Sequence, residues 1–111
     1  EPTPASTTLR QLADDSRRAL SRSLQAFADL DVDLARAVLA GDDEIDEAEA
    51  RAIRESIARI NDDPRICHQE IDMILIAKSL ERVADHATNI AEEVVLAAES
   101  INLKHAGKLA T

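Results

Sequence analysis

The feature that most constrains the fold is a long stretch without a helix-breaking residue. It opens at Asp63 and Pro64, where aspartate can cap free backbone N–H groups and proline suits the first helical position. No glycine or proline follows until after Ser100, which leaves roughly 36 residues, or about 54 Å, for one helix. The composition agrees, because two glycines, three prolines and one aromatic residue are too few for a turn-rich β fold. The sequence therefore predicts an all-α protein.

The residues before this stretch predict two more helices. Ser6 or Thr7 can cap the first, which fades in the acidic segment ADLDVD, and Asp31 or Asp33 can cap the second. Gly41 either kinks the second helix or ends one helix just before another begins. The apolar residues that recur at three- and four-residue steps are Leu9, Leu12, Ala13, Leu20, Leu24 and Phe27 in the first helix, and Leu34, Val38, Ile45, Ala52, Ile53, Ile57 and Ile60 in the second.

Short connections join the three predicted helices, so we expect an antiparallel three-helix bundle with a long third helix. Residues 1–7 are predicted to form a linker, residues 8–100 the bundle and residues 101–111 an exposed tail. The start EPTPAST, without an initiator methionine, is typical of a linker in a larger protein. The packing face predicted for the third helix consists of Ile76, Leu80, Val83, Ala84, Ala87, Ile90, Ala91, Val94 and Ala98.

The charge of the chain limits its partners. A formal net charge of -9 argues against direct binding to nucleic acid or to an anionic membrane, and it suits cations or basic protein surfaces. The apolar runs are too short to span a bilayer. Cys67 is the single cysteine, so it forms no internal disulfide, and a reducing, cytoplasmic compartment fits.

Three acids interrupt the apolar stripe of the second helix. At about 100° per residue, Asp42, Asp46 and Glu49 fall within roughly 60° of one another. Burying ionised carboxylates costs several kcal/mol each unless a cation pairs with them. The alternative is that Gly41 breaks the helix and the acids occupy a new first turn, where the helix dipole favours them.

The third helix carries a second acidic group, away from its packing face. Glu81, Asp85 and Glu92 lie within roughly 40° of one another, with Asn89 on their flank. Taken alone, they fit a solvated charged face. If the helices run antiparallel, however, the two acidic groups could converge on one cation of the kind that carboxylates bind, such as Mg, Ca, Mn, Fe or Zn.

Motifs for catalysis are missing from the sequence. A di-iron carboxylate bundle needs Glu-x-x-His pairs, and no glutamate here is followed three positions later by histidine. Nor do serine, cysteine and histidine occur at a diagnostic spacing. His86 adjoins Asp85, but neighbouring helical residues point about 100° apart, so it is predicted to make a structural hydrogen bond. Cys67 is expected to be a small buried residue, and Met73 and Phe27 to belong to the core.

The run AKSLERVADHATNIAEEV resembles the signature of the PhoU family of phosphate-uptake regulators. The family's Glu/Asp-x-x-x-Asp motif corresponds to Glu81 and Asp85. Its second acidic element resembles GDDEIDEAE, with Asp42 and Asp46 at the motif positions, and the similarity extends over about residues 9–106.

This resemblance implies a non-enzymatic regulator that restrains phosphate-starvation signalling. Expected partners are a membrane sensor kinase and the ATPase of the phosphate importer. Some family members bind multinuclear metal clusters, so the resemblance implies a divalent or multinuclear metal (Fe, Mn, Zn or Mg). Its expected ligands are Glu81, Asp85, Asp42 and Asp46, with Glu49, Asn89 and Glu92 as further candidates. A metal-free scaffold that uses the same acids to dock a basic partner is the alternative.

The chain departs from the family pattern in one respect. Family members typically contain two tandem three-helix bundles, whereas this sequence predicts one, which resembles the second half of the tandem. It is therefore expected to be a domain of a longer protein, a single bundle that forms a homodimer, or a domain appended to a membrane phosphate transporter.

Overall fold

The computed structural model describes residues 6–110 of the chain. Over these residues the protein is helical and contains no strand, which confirms the predicted all-α class. Its elements are α1 (Thr7–Asp29), α2 (Val32–Ala40), α3 (Asp42–Asp62), a 3-10 turn (Pro64–Ile66) and α4 (Cys67–Ala110).

The helices α1 to α4 form a three-helix bundle, because α2 and α3 follow one another and together take the place of its second helix. Thr8, at the start of α1, donates a hydrogen bond to Glu55 near the end of α3 at 3.0 Å, so these two helices run in opposite directions. Arg59 near the end of α3 bonds to Glu70 near the start of α4, so α3 and α4 are also antiparallel. The predicted antiparallel three-helix arrangement is confirmed.

Gly41 separates α2 from α3 by a single residue. Its backbone is right-handed (φ -84°, ψ -5°), and its N–H donates to the carbonyls of Ala37 and Val38, both at 3.2 Å. No side chain caps the start of α3. Gly41 thus ends one helix while the next begins at once, which resolves the two alternatives left open by the sequence.

The other helix ends are fixed by local polar contacts. Ser6 caps α1 by accepting a hydrogen bond from the N–H of Leu9 at 3.0 Å. At the far end Leu30 adopts a left-handed conformation (φ 51°), and the N–H of Asp31 donates to the carbonyl of Ala26 at 2.9 Å. This is the closing pattern of a helix that turns sharply.

The long helix begins where the sequence predicts. The side chain of Asp63 accepts a hydrogen bond from the N–H of Arg65 at 3.2 Å, and Pro64 opens the 3-10 turn that leads into α4. The helix continues to Ala110 instead of ending near Ser100, and Gly107 lies within it without ending it. Its 44 residues account for the 71 Å length of the molecule. None of the helices described has an apolar stretch sufficient to cross a membrane.

Small side chains form the contact between α1 and α4. The buried residues of α1 are Leu9, Leu12, Ser16, Ala19, Ser23 and Ala26. The buried hydrophobic residues of α4 are Ala77, Ala84, Ala87, Ala91 and Val94. Side chains of this size allow two helix backbones to approach closely, and they leave little space for larger groups between them.

This contact overturns part of the predicted core. Phe27 is 66% exposed and Leu24 is also exposed, because the buried stripe of α1 passes one residue earlier, at Ser23 and Ala26. Ile57 on α3 and Ile76 on α4 are exposed as well. On α3 the core stripe consists of Ile45, Ala48, Ala52 and Ser56, so Ile57 lies about 100° away from it.

Of the predictions for Met73 and Cys67, one is confirmed and one is wrong. Met73 packs against the core, as predicted. Cys67 is half-buried instead of fully buried.

A buried ion pair joins α3 to α4 beside their connection. The side chain of Glu70 is 1% exposed, and its Oε1 accepts a hydrogen bond from Nε of Arg59 at 2.9 Å. Arg59 also donates to Oγ of the buried Ser56 at 3.3 Å. Because a buried carboxylate without a partner is strongly unfavourable, this pair holds the two helices in one register.

Arg59→Met should therefore destabilise the protein by about 3 kcal/mol in urea unfolding at neutral pH, since it strands the buried carboxylate of Glu70. The matched control is Arg54→Met on the same helix, where the pair with Glu47 is exposed and 3.9 Å long. The control should lose less than about 1 kcal/mol. Equal losses in the two variants would show that the buried pair does not fix the register.

Candidate acidic site between α3 and α4

Four predicted acids lie on two facing helices: Asp42 and Asp46 on α3, and Glu81 and Asp85 on α4. Because the helices are antiparallel, the beginning of α3 lies beside the middle of α4. The carboxylates are close enough for those of α4 to act on the titration of both aspartates of α3. The two acidic groups therefore lie on facing parts of α3 and α4, within electrostatic range of one another.

Like Glu81, Asp42 is a half-buried member of this group. Burial raises the pKa of its carboxyl group, and the charges of Asp46, Asp85, Asp43 and Glu81 raise it further. Its Oδ1 is buried and has no hydrogen-bond partner. An acceptor oxygen in this condition is suited to a cation or to a donor from another molecule.

Asp46 and Asp85 are the exposed members. Burial of the carboxyl group is again the largest cause of the raised pKa of Asp46, followed by the charges of Asp85 and Glu81. Burial and then the neighbouring Glu81 raise the pKa of Asp85, while His86 acts in the opposite direction. The charges of Glu81 and Asp85 thus make ionisation of Asp42 and Asp46 less favourable.

The other three candidate ligands are placed differently. Oε2 of Glu49 lies 3.4 Å from Nζ of Lys78, without the geometry of a hydrogen bond, so a lysine already faces this carboxylate. Asn89 and Glu92 are exposed and lie further along α4 than Asp85. In the antiparallel register they lie beside α2, beyond the start of α3.

Asp43 is the member that the sequence reasoning missed. It is exposed, yet its charge helps to raise the pKa of both Asp42 and Asp46. Its signal was its position directly after Asp42 in the acidic element. Asp42, Asp43 and Glu44 occupy the first turn of α3, so the helix-dipole alternative describes their position correctly. Of these three, Asp42 also faces the acids of α4, whereas Asp43 and Glu44 line a cleft with residues of α1.

The chemistry of this acidic site suits hard cations, because its side chains offer only carboxylate oxygens. Among residues 6–110, however, no three His, Cys, Asp or Glu side chains are arranged around one point as metal ligands. The exposed carboxylates of Asp46 and Asp85 would have to rotate to share an ion with Asp42 and Glu81. Metal binding by these residues remains a prediction.

Asp46→Asn should stabilise the protein in the presence of a chelator at neutral pH, by about 0.2–0.5 kcal/mol, because it removes like-charge repulsion. The folded protein holds its protons more tightly at a raised pKa. The free energy of unfolding of the unmodified chain should therefore fall as pH rises from the ordinary aspartate pKa of 3.8 through the raised value, and the variant should show a smaller fall.

The measurement is urea unfolding as a function of pH. Glu47→Gln is the matched control, because it removes one exposed charge from the same helix without relieving this cluster. An identical pH profile in both variants would contradict the proposed repulsion.

Comparison with known proteins agrees with the fold. The family model described as "PhoU domain" matches residues 9–94, which include all four acids. A PhoU homolog of the phosphate-specific transport system, an accessory protein from Pseudomonas putida, is 35% identical over 99 residues. The alignment covers 89% of this chain and 39% of the relative.

Two further relatives carry the same description. The protein from Thermotoga maritima is 35% identical over 96 residues, covering 86% of this chain and 41% of its own. The protein from Pseudomonas aeruginosa is 33% identical over 99 residues, covering 89% and 41%. The chain thus spans about two fifths of the length of these curated relatives. With its helical bundle and the match over most of its length, the chain belongs to the PhoU family.

Proposed function

We propose that this chain is a non-enzymatic regulatory module of phosphate transport and phosphate-starvation signalling. The observation that carries the proposal is the family match over residues 9–94, within which four carboxylates converge from two helices. Relatives are named accessory proteins of a phosphate-specific transport system. A protein that regulates a transporter acts through contacts with other proteins, and the exposed acidic site offers a surface for them.

The proposed location is the cytoplasm, where the partners would be a sensor kinase and the ATPase of a phosphate importer. Because the relatives are more than twice as long as the aligned segment, a second bundle, in tandem or from a homodimer, is part of the proposal. The alternative architecture is a PhoU-like domain attached to a membrane phosphate transporter.

The proposed ligand of the acidic site is a divalent metal or a multinuclear cluster of Fe, Mn, Zn or Mg. The mutual repulsion of the four carboxylates supports this, since a bound cation would offset it. The orphaned Oδ1 of Asp42 is a further argument. The competing proposal is a metal-free scaffold whose carboxylates pair with Lys or Arg of a partner, and the lack of three convergent ligands in the described part of the chain favours it.

Metal analysis separates these two possibilities. Purified protein, exposed to Mn²⁺ or Fe²⁺ and then desalted, should retain metal measurable by mass spectrometry, and Asp85→Ala should abolish retention. Glu92→Ala is the matched control, because Glu92 is an exposed acid of the same helix beyond the site. If the unmodified protein retains no metal, the metal proposal is wrong and the metal-free scaffold is the proposal that stands.

The regulatory role is tested in the cell with the full-length gene. Asp46→Asn combined with Asp85→Asn should activate a phosphate-starvation reporter in phosphate-rich medium, because the acidic site no longer makes its contacts. Glu47→Gln combined with Glu92→Gln removes the same charge elsewhere and should leave the reporter silent. If deletion of the whole gene does not change the reporter, the proposed function is wrong.

A further inference from the structure

Large aliphatic side chains lie on the surface of this bundle, although alanine and serine occupy many of its buried positions. Three of them are on the outer side of α3 and α4: Ile57 is 47% exposed, Ile71 43% and Leu75 59%. Large aliphatics that share an exposed surface mark sites where another molecule binds.

Two ion pairs show that these three side chains are neighbours. Arg59 of α3 is bonded to Glu70 of α4. Ile57 precedes Arg59 by two residues and Ile71 follows Glu70 directly, so the two isoleucines lie at about the same level of the bundle. Leu75 lies one turn further along α4, on the same side of the helix as Ile71.

Towards the start of α3, Glu49 meets Lys78. Lys78 is three residues after Leu75, so the two side chains lie on the same side of α4. The ion pair between Lys78 and Glu49 therefore lies on the side of the bundle that carries the exposed aliphatic residues. Ile53 and Ile74, both half-buried, supply the floor between them. We call these five residues, Ile53, Ile57, Ile71, Ile74 and Leu75, the apolar patch.

The apolar patch continues into the acidic site. Asp46 lies about two helical turns from Ile53 along α3, and Glu81 lies about two turns from Leu75 along α4. Between the two regions, Lys78 and Glu49 neutralise one another at 3.4 Å. One side of the α3–α4 pair is therefore apolar at one end and strongly anionic at the other.

We propose that this side of α3 and α4 docks a cationic amphipathic helix of another protein. Aliphatic side chains one turn apart on that helix would cover the apolar patch. Lys or Arg residues two to three turns further along would pair with Asp46, Glu81 and Asp85. The proposal deepens the protein-contact part of the proposed function and rests on it.

Charge decides among the occupants of this surface. A second copy of the chain, with its own net charge of -9, would be repelled by the carboxylates of this surface, so it is disfavoured as the occupant here. An anionic lipid surface would meet the same carboxylates and be repelled. A basic helix is attracted by the acidic end and buries its aliphatic side chains on the other, so both halves of the surface act together.

The test uses a synthetic helix of about 16 residues, long enough to become helical on binding. It carries a stripe of leucines over its first turns and lysines in its last two turns. Titrated into isotopically labelled protein, it should shift the amide resonances around Ile57, Leu75 and Asp46. Raising the ionic strength should weaken the binding, because part of the attraction is between exposed charges.

Two control peptides isolate the two halves of the surface. One has the same composition with the leucines spread around the helix, and the other has glutamate in place of lysine. Both control peptides should bind at least about tenfold more weakly than the designed peptide. If either binds as well as the designed peptide, or if the resonance shifts lie elsewhere on the protein, the proposal is wrong.

Variants of the protein provide an independent test. Leu75→Ser should weaken peptide binding about tenfold, whereas Leu103→Ser, at an exposed leucine outside the patch, should leave it unchanged. Asp46→Asn should also weaken binding without unfolding the chain. If sedimentation instead shows a dimer that Leu75→Ser dissociates, the occupant is a second copy and the proposal is wrong. If the reporter experiment gives the result expected for the proposed function but the designed peptide does not bind, the docking surface is wrong and the proposed function stands.

Discussion

The structure depends on the close contact between α1 and α4, which is built from small residues. Ala19 and Ala26 of α1 are buried, as are Ala84 and Ala87 of α4. From Ser16 to Ala26 the buried positions of α1 hold only serine and alanine, so the larger side chains of this segment lie at the edge of the bundle or outside it. The position of Phe27 on the surface follows from that constraint.

Features of the fold that depend on residues close together in the sequence could be predicted, and features that depend on contacts between helices could not. The start of the long helix was predictable because Asp63 and Pro64 act on their immediate neighbours. The face of α1 was not, because the apolar letters Leu24 and Phe27 lie one residue after the buried Ser23 and Ala26. Periodicity alone selects the larger apolar residues, whereas the partner helix selects the smaller ones. The end of α4 was also misplaced, since helix continuation needs no positive signal.

For the candidate site, the residues could be predicted from the sequence but their proximity could not. The sequence identified each of Asp42, Asp46, Glu81 and Asp85, because they match a family motif. Their proximity depends on the register of α3 against α4, which no local pattern contains. The structure also changes the interpretation of the acids on α3. Asp46 is exposed and Asp42 is half-buried beside the core stripe of Ile45 and Ala48, so neither is enclosed in the core as the sequence pattern implied.

The pair between Arg59 and Glu70 connects this register to the proposed activities. A shift of α4 by one helical turn would move it about 5.4 Å along α3 and strand a carboxylate that is now almost fully buried. The same shift would separate Asp42 and Asp46 from Glu81 and Asp85, and it would divide the apolar patch. One buried contact near the connection therefore determines whether the acidic end and the apolar end of the surface exist together. Because both ends lie on the same two helices, a ligand that neutralises the carboxylates also changes the charge that a docked helix would meet. If the acidic site binds a cation and the surface docks a helix, as proposed, the two events would be coupled through charge, without any need for the bundle to change its shape.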